Sequence, residues 1–283
     1  MLAKAKHHLS GYSPKDFSME ETQKCVQYDM DIVDNWLAHL AAYTPSNGLK
    51  RGIEGKHVLE LGPGSDLGIG LYLLAKSARK YTAVDVYDLV SAAPSQFYDV
   101  LFDCLKEEKQ ADVSCLREEL QKTKAGKGDR LNYICSNSFD IEKALGSEKV
   151  DIIFSNAAFE HFKDIRETIR AVSAVASSGA LFIVSVDLMT HSRWIRAKDP
   201  NNIYRYSKGL YKLLRTQSTP NRARPCQYAE ALEESGWENI QITPGAVLTD
   251  ADYHFIKGHL NKDYENEKSQ MHYLTLWICA SKA

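Results

Sequence analysis

VLELGPGSDLG, residues 58–68, is the stretch whose reading decides the fold. Val58, Leu59 and Leu61 are apolar β-formers entering a glycine turn at Gly62 and Gly64, and GIGLYLLAKSA (68–78) carries on as a helix. Strand, tight turn and helix in that order make a nucleotide-binding start. Glycine at 62 and 64 removes the Cβ that would hold a ligand off the backbone and allows positive φ at little cost. The helix start beyond it presents N–H groups without intrahelical partners. YTAVDV (81–86) reads as the next strand and ends in Asp85, a carboxylate able to accept bonds from both hydroxyls of a ribose.

Two cofactor classes use such a layout. A dinucleotide fold asks for G-x-G-x-x-G, so that pyrophosphate can sit on the helix end; here Leu67 stands at the third glycine position and glycine comes one place later, at Gly68. Glu60 before the turn and Asp66 after it are poor company for pyrophosphate and good company for an α-amino group or a sulfonium, both of which S-adenosylmethionine carries. A nicotinamide-dependent oxidoreductase is therefore the disfavoured rival. Glu60-x-Gly62-x-Gly64 with Asp85 closing the second strand resembles motifs I and post-I of the class I S-adenosylmethionine-dependent methyltransferases. The resemblance spans residues 56–186 and, more loosely, the whole chain. It implies S-adenosyl-L-methionine as cofactor, held by Glu60, Gly62, Gly64, Ser65, Asp85 and Val86.

Composition sets the frame. The 283 residues are 44% hydrophobic and 25% charged with a formal net charge of -2, ordinary for one large α/β domain with additions. That charge gives no global electrostatic case for nucleic acid or an anionic membrane as partner. No apolar run approaches the roughly 20 residues of a membrane helix, and MLAKAKHHLSGYS has no signal-type apolar stretch, so a cytoplasmic protein is expected. Cys25, Cys104, Cys115, Cys135, Cys226 and Cys279 show no C-x-x-C pairing and no histidine at zinc spacing, and read as free thiols.

The pattern predicts strands at 56–61, 80–85, 131–135, 150–155, 180–187, 239–245 and 271–280, with helices between most of them. The expected fold is α/β: a doubly wound, mainly parallel seven-stranded sheet, one domain over 1–283. In the resembling family the last strand is antiparallel, a role that MHYLTLWICASKA fits. An amphipathic helical cap is expected over 19–45, broken by TPSNG, with Val26, Met30, Val33, Trp36, Leu37 and Leu40 at helical spacing. Its Tyr28 and Trp36 either line the ligand pocket or pack on the sheet. Insertions over 87–130 and 188–235 follow strand ends, where such sheets build ligand sites.

The same resemblance places YICSNSFDI (133–141) around the adenine, with Asn137, Ser138 and Phe139 as contacts. Many relatives carry aspartate where Asn137 stands, and an Asx turn is the competing reading. VDIIFSNAAFEHF (150–162) brings Ser155 and Asn156 beside the methionine part of the cofactor.

Methyl transfer is an in-line displacement, so the protein holds the acceptor, excludes water and takes a proton when the acceptor is a hydroxyl. His161 is the first candidate base, since the loop after strand four faces the methyl group in this family; a helix-capping role is the alternative. Asp187 and His191 are the second candidate, in VSVDLMTHSRWIR (184–196). They form a base with its orienting partner, a structural pair, or, with Glu160 and only if the three converge, ligands to a divalent metal. No metal site is assigned from sequence. Arg193, Trp194, Tyr204, Arg205, Tyr206 and Arg222 are the candidate acceptor contacts, because guanidinium groups beside aromatic rings suit an acceptor bearing hydroxyls and oxyanions; a solvated face is the competing reading. The D-L-x-x-H-S-R-W block with N-I-Y-R-Y-S and P-N-R-x-R resembles uncharacterised bacterial methyltransferases, some associated with surface-glycan biosynthesis. The expected activity is methylation of a small or sugar-like acceptor at oxygen, with a catalytically silent binding or partner subunit as the non-enzymatic alternative.

Overall fold

A computed structural model describes residues 18–46, 52–107, 111–216 and 219–283. Seven strands, β1 (His57–Leu61), β2 (Lys80–Asp85), β3 (Leu131–Cys135), β4 (Val150–Asn156), β5 (Ala176–Asp187), β6 (Trp237–Val247) and β7 (Tyr273–Lys282), join in the order β3-β2-β1-β4-β5-β7-β6. β1 pairs in parallel with β2 and with β4, and β2 with β3. The chain moves outward from β1 to β2 and β3, then returns to β4 on the other side of β1. That reversal is a topological switch point, and ligands of open α/β sheets bind beyond the carboxyl ends of the strands there. All five residues of β1 are buried, which explains the near-continuous apolar run of HVLEL: a parallel strand covered on both faces has no polar side to show.

The described chain forms two compact units. The first holds the described residues up to 156 together with 171–183 and 281–283. Its N-terminal helix runs Met19–Ser46 and so continues through Thr44, Pro45 and Ser46 of the segment expected to break it, while Asn47 and Gly48 lie outside the described residues. Val26, Met30, Val33, Trp36 and Leu40 are buried, and the Trp36 ring stacks on Phe154 of β4 at 4.5 Å and 9°. Trp36 is thus a core residue and not a pocket wall. The helix Gly68–Ala75 is buried from Gly68 to Leu74. Gly70 is dictated by close approach, since a Cβ there would stand 2.4 Å from the Tyr81 ring. Helices Ser95–Glu107 and Val113–Lys124 occupy the first insertion as expected, with 108–110 outside the described residues.

The second unit holds residues 157–170 and 184–280. Ile203, Tyr204, Tyr211, Ile256, Leu260 and Met271 form its apolar cluster. Helices Arg193–Arg196, Lys208–Leu214 and Pro225–Glu234 build the second insertion. β5 begins at Ala176, four residues before its predicted start, because helix Ile165–Val175 passes straight into the strand and Gly179 takes φ +75° inside it.

The Trp36–Phe154 stack ties the N-terminal helix to the sheet. Trp36→Ala is expected to cost about 3–5 kcal/mol of stability through lost burial and the cavity left behind, read as a lower urea midpoint; a loss below about 1 kcal/mol would mean that the stack contributes little.

Candidate functional site

The turn after β1 is built as its sequence requires. Gly62 and Gly64 hold φ +74° and +82°, a region costly for any side chain with a Cβ, and nothing lies within 4 Å of where a Gly64 Cβ would stand. The Gly62 N–H donates to the Val84 carbonyl at 3.0 Å, and the fully buried Ser155 hydroxyl donates to the Leu61 carbonyl at 2.8 Å, so β2 and β4 brace the turn from either side. Asp85, 9% exposed, accepts from the N–H groups of Val86 and Tyr87 at 2.6 and 3.0 Å and from Gly64. Burial raises its pKa, and these N–H groups work against that rise.

Three carboxylates gather beneath the turn. Glu60 is buried and accepts a short hydrogen bond from the Tyr81 hydroxyl. Burial, opposed by that bond and reinforced by Asp66 and Asp85, pushes its pKa up to about 8. Asp66 accepts from the Gly68 N–H at 2.9 Å and forms a carboxyl pair with Asp29 of the N-terminal helix; burial raises both. Asp29 Oδ2 has no hydrogen-bond partner and packs where a Cβ on Gly68 would be, at 2.2 Å. Asp29 joins this carboxylate group unforeseen from the sequence: nothing local in KCVQYDMDIV marks it, and only the fold brings it to Gly68. The Leu67 N–H is taken by the Tyr98 hydroxyl at 3.3 Å and the Gly68 N–H by Asp66, so pyrophosphate at this helix start would meet a carboxylate. That geometry disfavours the dinucleotide reading.

The loop after β3 forms a tight turn against the end of β2. The Ser136 N–H donates to the Asp85 carbonyl at 2.9 Å, and the Phe139 N–H closes a turn onto the Ser136 carbonyl at 2.9 Å. Asn137 and Ser138 are exposed on that turn, Ser138 bonded to Ser136 through their hydroxyls at 2.8 Å, and Phe139 takes φ +49°. Asn156 donates to the exposed Tyr28 hydroxyl at 3.3 Å. Tyr28, unlike Trp36, therefore stands at the carboxyl end of β4.

In the second unit, the turn Phe159–His161 and the segment after β5 form another cluster. The rings of His161 and His191 are 4.8 Å apart, and His191 Nε2 lies 3.5 Å from Asp187 Oδ2, which also accepts from Arg196 at 2.6 Å. Burial would raise the Asp187 pKa, but His191, the Met189 N–H and Arg196 outweigh it and hold the carboxyl below its usual range. Burial, then His191 and Arg215, bring His161 down to about 4, only partly opposed by Asp187. Glu160 is 2% exposed with neither carboxylate oxygen in a regular hydrogen bond. Burial and then Asp187 push it up to about 8, against its own and the Asp187 backbone N–H and Arg196. Asp164 caps helix Ile165–Val175 through the N–H groups of Arg166 and Glu167, which removes the capping role considered for His161.

A family model described as a methyltransferase domain matches residues 33–242. The chain belongs to the methyltransferase domain family. S-adenosyl-L-methionine is accordingly its cofactor, and the residues fit it: the buried carboxylates of Glu60 and Asp29, the latter with an unpartnered oxygen, and the partly buried Asp66 suit an ammonium and a sulfonium, beside a glycine turn with open space at Gly64. Similar solved structures include a protein described as a sarcosine dimethylglycine methyltransferase from Galdieria sulphuraria, at 15% identity over 88% of this chain and 85% of that one, TM-score 0.47. An S-adenosylmethionine-dependent methyltransferase from Mesorhizobium loti is similar at 15% identity over 87% and 100%, TM-score 0.44. Phosphoethanolamine N-methyltransferase 2 of Haemonchus contortus, solved with S-adenosyl-L-methionine, is similar at 13% identity over 96% and 61%, TM-score 0.47. No curated protein matches the chain significantly.

The arginine and tyrosine tract of this methyltransferase divides. Tyr204 is fully buried, its hydroxyl donating to the Leu188 carbonyl at 2.7 Å, and Arg222 is 6% exposed, donating to the carbonyls of Ile203 and Tyr206 with its guanidinium 4.0 Å over Tyr211. Both are corrected from acceptor contacts to framework, because their polar groups are spent inside the core. Arg224, 1% exposed, likewise donates to the carbonyls of Ser269, Gln270 and Tyr273. Arg193 and Trp194, the latter 92% exposed, Tyr206 and Arg205, paired with Asp199 at 2.9 Å, remain at or near the surface. Asn221 was missed: it donates to the carbonyls of Phe159 and Phe162 at 2.8 and 3.0 Å and so fixes the turn that carries Glu160 and His161.

Glu60 gives this site a pH signature. Its folded pKa of about 8 stands above the ordinary 4.5, so the folded chain binds more protons between those values, and its contribution to stability is full below about pH 4.5 and lost as pH rises through about 8. Cofactor-free Glu60→Gln keeps a partner for Tyr81 and is expected to lose stability less steeply than the parent between about pH 5 and 8, the difference being at most about 1.4 kcal/mol per pH unit. Equal slopes in urea unfolding would exclude Glu60 as the source.

Proposed function

We propose that this methyltransferase methylates an oxygen of a small or sugar-like acceptor, with the acceptor proton taken at the His161–His191 centre. The observation that carries the reading is the imidazole pair itself, rings 4.8 Å apart with Asp187 3.5 Å behind His191. A carboxylate that fixes a histidine ring and stabilises its protonated form is the usual support of an imidazole base. The low pKa of His161 leaves that ring unprotonated near neutral pH, and His191 keeps the carboxylate partner.

S-adenosyl-L-methionine supplies a methyl group already activated by its sulfonium. In this reading Glu60, Asp66 and Asp29 compensate the cofactor's positive charge, Asp85 and Val86 hold the ribose side, and Gly62, Gly64 and Ser65 form the wall against which it lies. Asn137, Ser138 and Phe139 border the adenine, Asn156 borders the methionine part, and Ser155 acts as the brace already described. Arg193, Trp194, Arg205 and Tyr206 are the proposed acceptor contacts, with Arg205 partly buried against Asp199 and the other three exposed; guanidinium and aromatic groups together suit hydroxyls and oxyanions.

His161→Ala and His191→Ala are each expected to retain cofactor affinity and to lower turnover by about 10²- to 10⁴-fold, measured by mass spectrometry of methylated product from a panel of hydroxylated acceptors that includes nucleotide-linked sugars. Normal turnover in both variants would remove the imidazole mechanism; a panel with no turnover by the parent would favour a binding subunit.

A further inference from the structure

Glu160, His161 and His191 bring one ligand atom each to within 4.8 Å of one another. Two of the three come from a single turn, Phe159–His161, and the third from the segment after β5. The geometry points to a binding site for one divalent transition-metal ion, of the zinc and cobalt class, held by these three side chains. Two imidazoles and one carboxylate are a donor set that such ions take, with positions left for oxygen ligands; magnesium prefers an all-oxygen shell.

Three observations converge on the ion. The Glu160 carboxylate is 2% exposed and neither oxygen makes a regular hydrogen bond, an arrangement that costs free energy unless a cation compensates it. Asp187 stands 3.5 Å from His191 Nε2, the carboxylate–histidine arrangement that orients a metal-bound ring, and Nδ1 is then the nitrogen turned to the ion. Asn221 fixes the turn by donating its side-chain amide N–H groups to the Phe159 and Phe162 carbonyls, while its backbone N–H donates to the Glu160 carbonyl at 2.6 Å. Donors at about 2.1 Å in a tetrahedral shell stand about 3.4 Å apart, so side-chain rotations that draw the ligand atoms in from within 4.8 Å by about 1.4 Å at most close the set. Arg196, a cation that acts on Glu160, is already paired with Asp187 at 2.6 Å. His161 and His191 are only half-buried, which leaves the ion a route in.

The proposal concerns ion binding and holds whatever the acceptor is. It bears on the chemistry above in one way: an imidazole whose lone pair holds an ion takes no proton, so ion-loaded and ion-free protein differ in the proton chemistry of this centre.

The test is titration of the chelator-stripped full chain with Co²⁺, followed by visible absorption, with Zn²⁺ as competitor and Mg²⁺ as control. One equivalent of Co²⁺ should give a ligand-field spectrum that one equivalent of Zn²⁺ abolishes and excess Mg²⁺ leaves intact. Glu160→Gln, His161→Asn and His191→Asn should each abolish or shift that spectrum and weaken binding by more than the roughly 10- to 100-fold that loss of an outer partner costs, whereas Asp187→Asn should fall within that range. Circular dichroism selects the variants that fold, and three ligand variants keep the test decisive if one does not. Absence of stoichiometric uptake by the parent, or uptake unchanged in folded ligand variants, would overturn the site and leave the imidazoles as metal-free groups.

Discussion

The constraint on which the rest of the site depends is the burial of carboxylates beneath a glycine turn. Glu60, Asp66 and Asp29 act on one another electrostatically, and burial raises the pKa of each. Such an arrangement opposes anionic ligands and favours a cationic one. It explains why the helix start after the turn, which in a dinucleotide fold receives pyrophosphate, here presents Asp66 on the Gly68 N–H. The surrounding bonds serve to hold the turn still: Gly62 to β2, Leu61 to Ser155, Asp85 to the residues that follow it.

The second cluster shows the same economy with opposite consequences. There the buried acid, Glu160, sits beside two imidazoles, with Arg196 paired to Asp187 and Arg222 and Arg224 committed to backbone carbonyls. The P-N-R-x-R segment is therefore a scaffold. Asn221 fixes the turn of Glu160 and His161, while Arg222 and Arg224 satisfy carbonyls that would otherwise be buried without donors. Chemistry at this cluster rests on packing more than ten residues removed in sequence.

Much of the fold was legible because the central strands are buried on both faces and read as apolar runs with sharp ends; β2 and β3 fall on their predicted bounds, and β1 and β4 differ by one residue. β5 and β6 were read short. In β5 the helix pattern of RETIRAVSAV leads into ASSG without punctuation, and in β6 Pro244 and Gly245 obscure an exposed strand. The glycine turn with Asp85 was legible because it is local and depends on φ and strand position. Asp29 was not, because its role exists only through contact with Asp66 and Gly68, far along the chain. Tyr204 and Arg222 were misread for a related reason: a guanidinium beside aromatic rings looks the same in sequence whether it faces a ligand or closes a core.

Calorimetric titration of the purified chain and of Asp85→Ala with S-adenosyl-L-methionine, its demethylated product and NAD shows whether the acidic glycine turn holds the cofactor. Micromolar binding of the first two by the parent, about -8 kcal/mol, a loss of about 1.5 to 3 kcal/mol in folded Asp85→Ala, and no binding of NAD are expected. NAD binding, or S-adenosyl-L-methionine affinity unchanged in Asp85→Ala, would contradict that role of the turn.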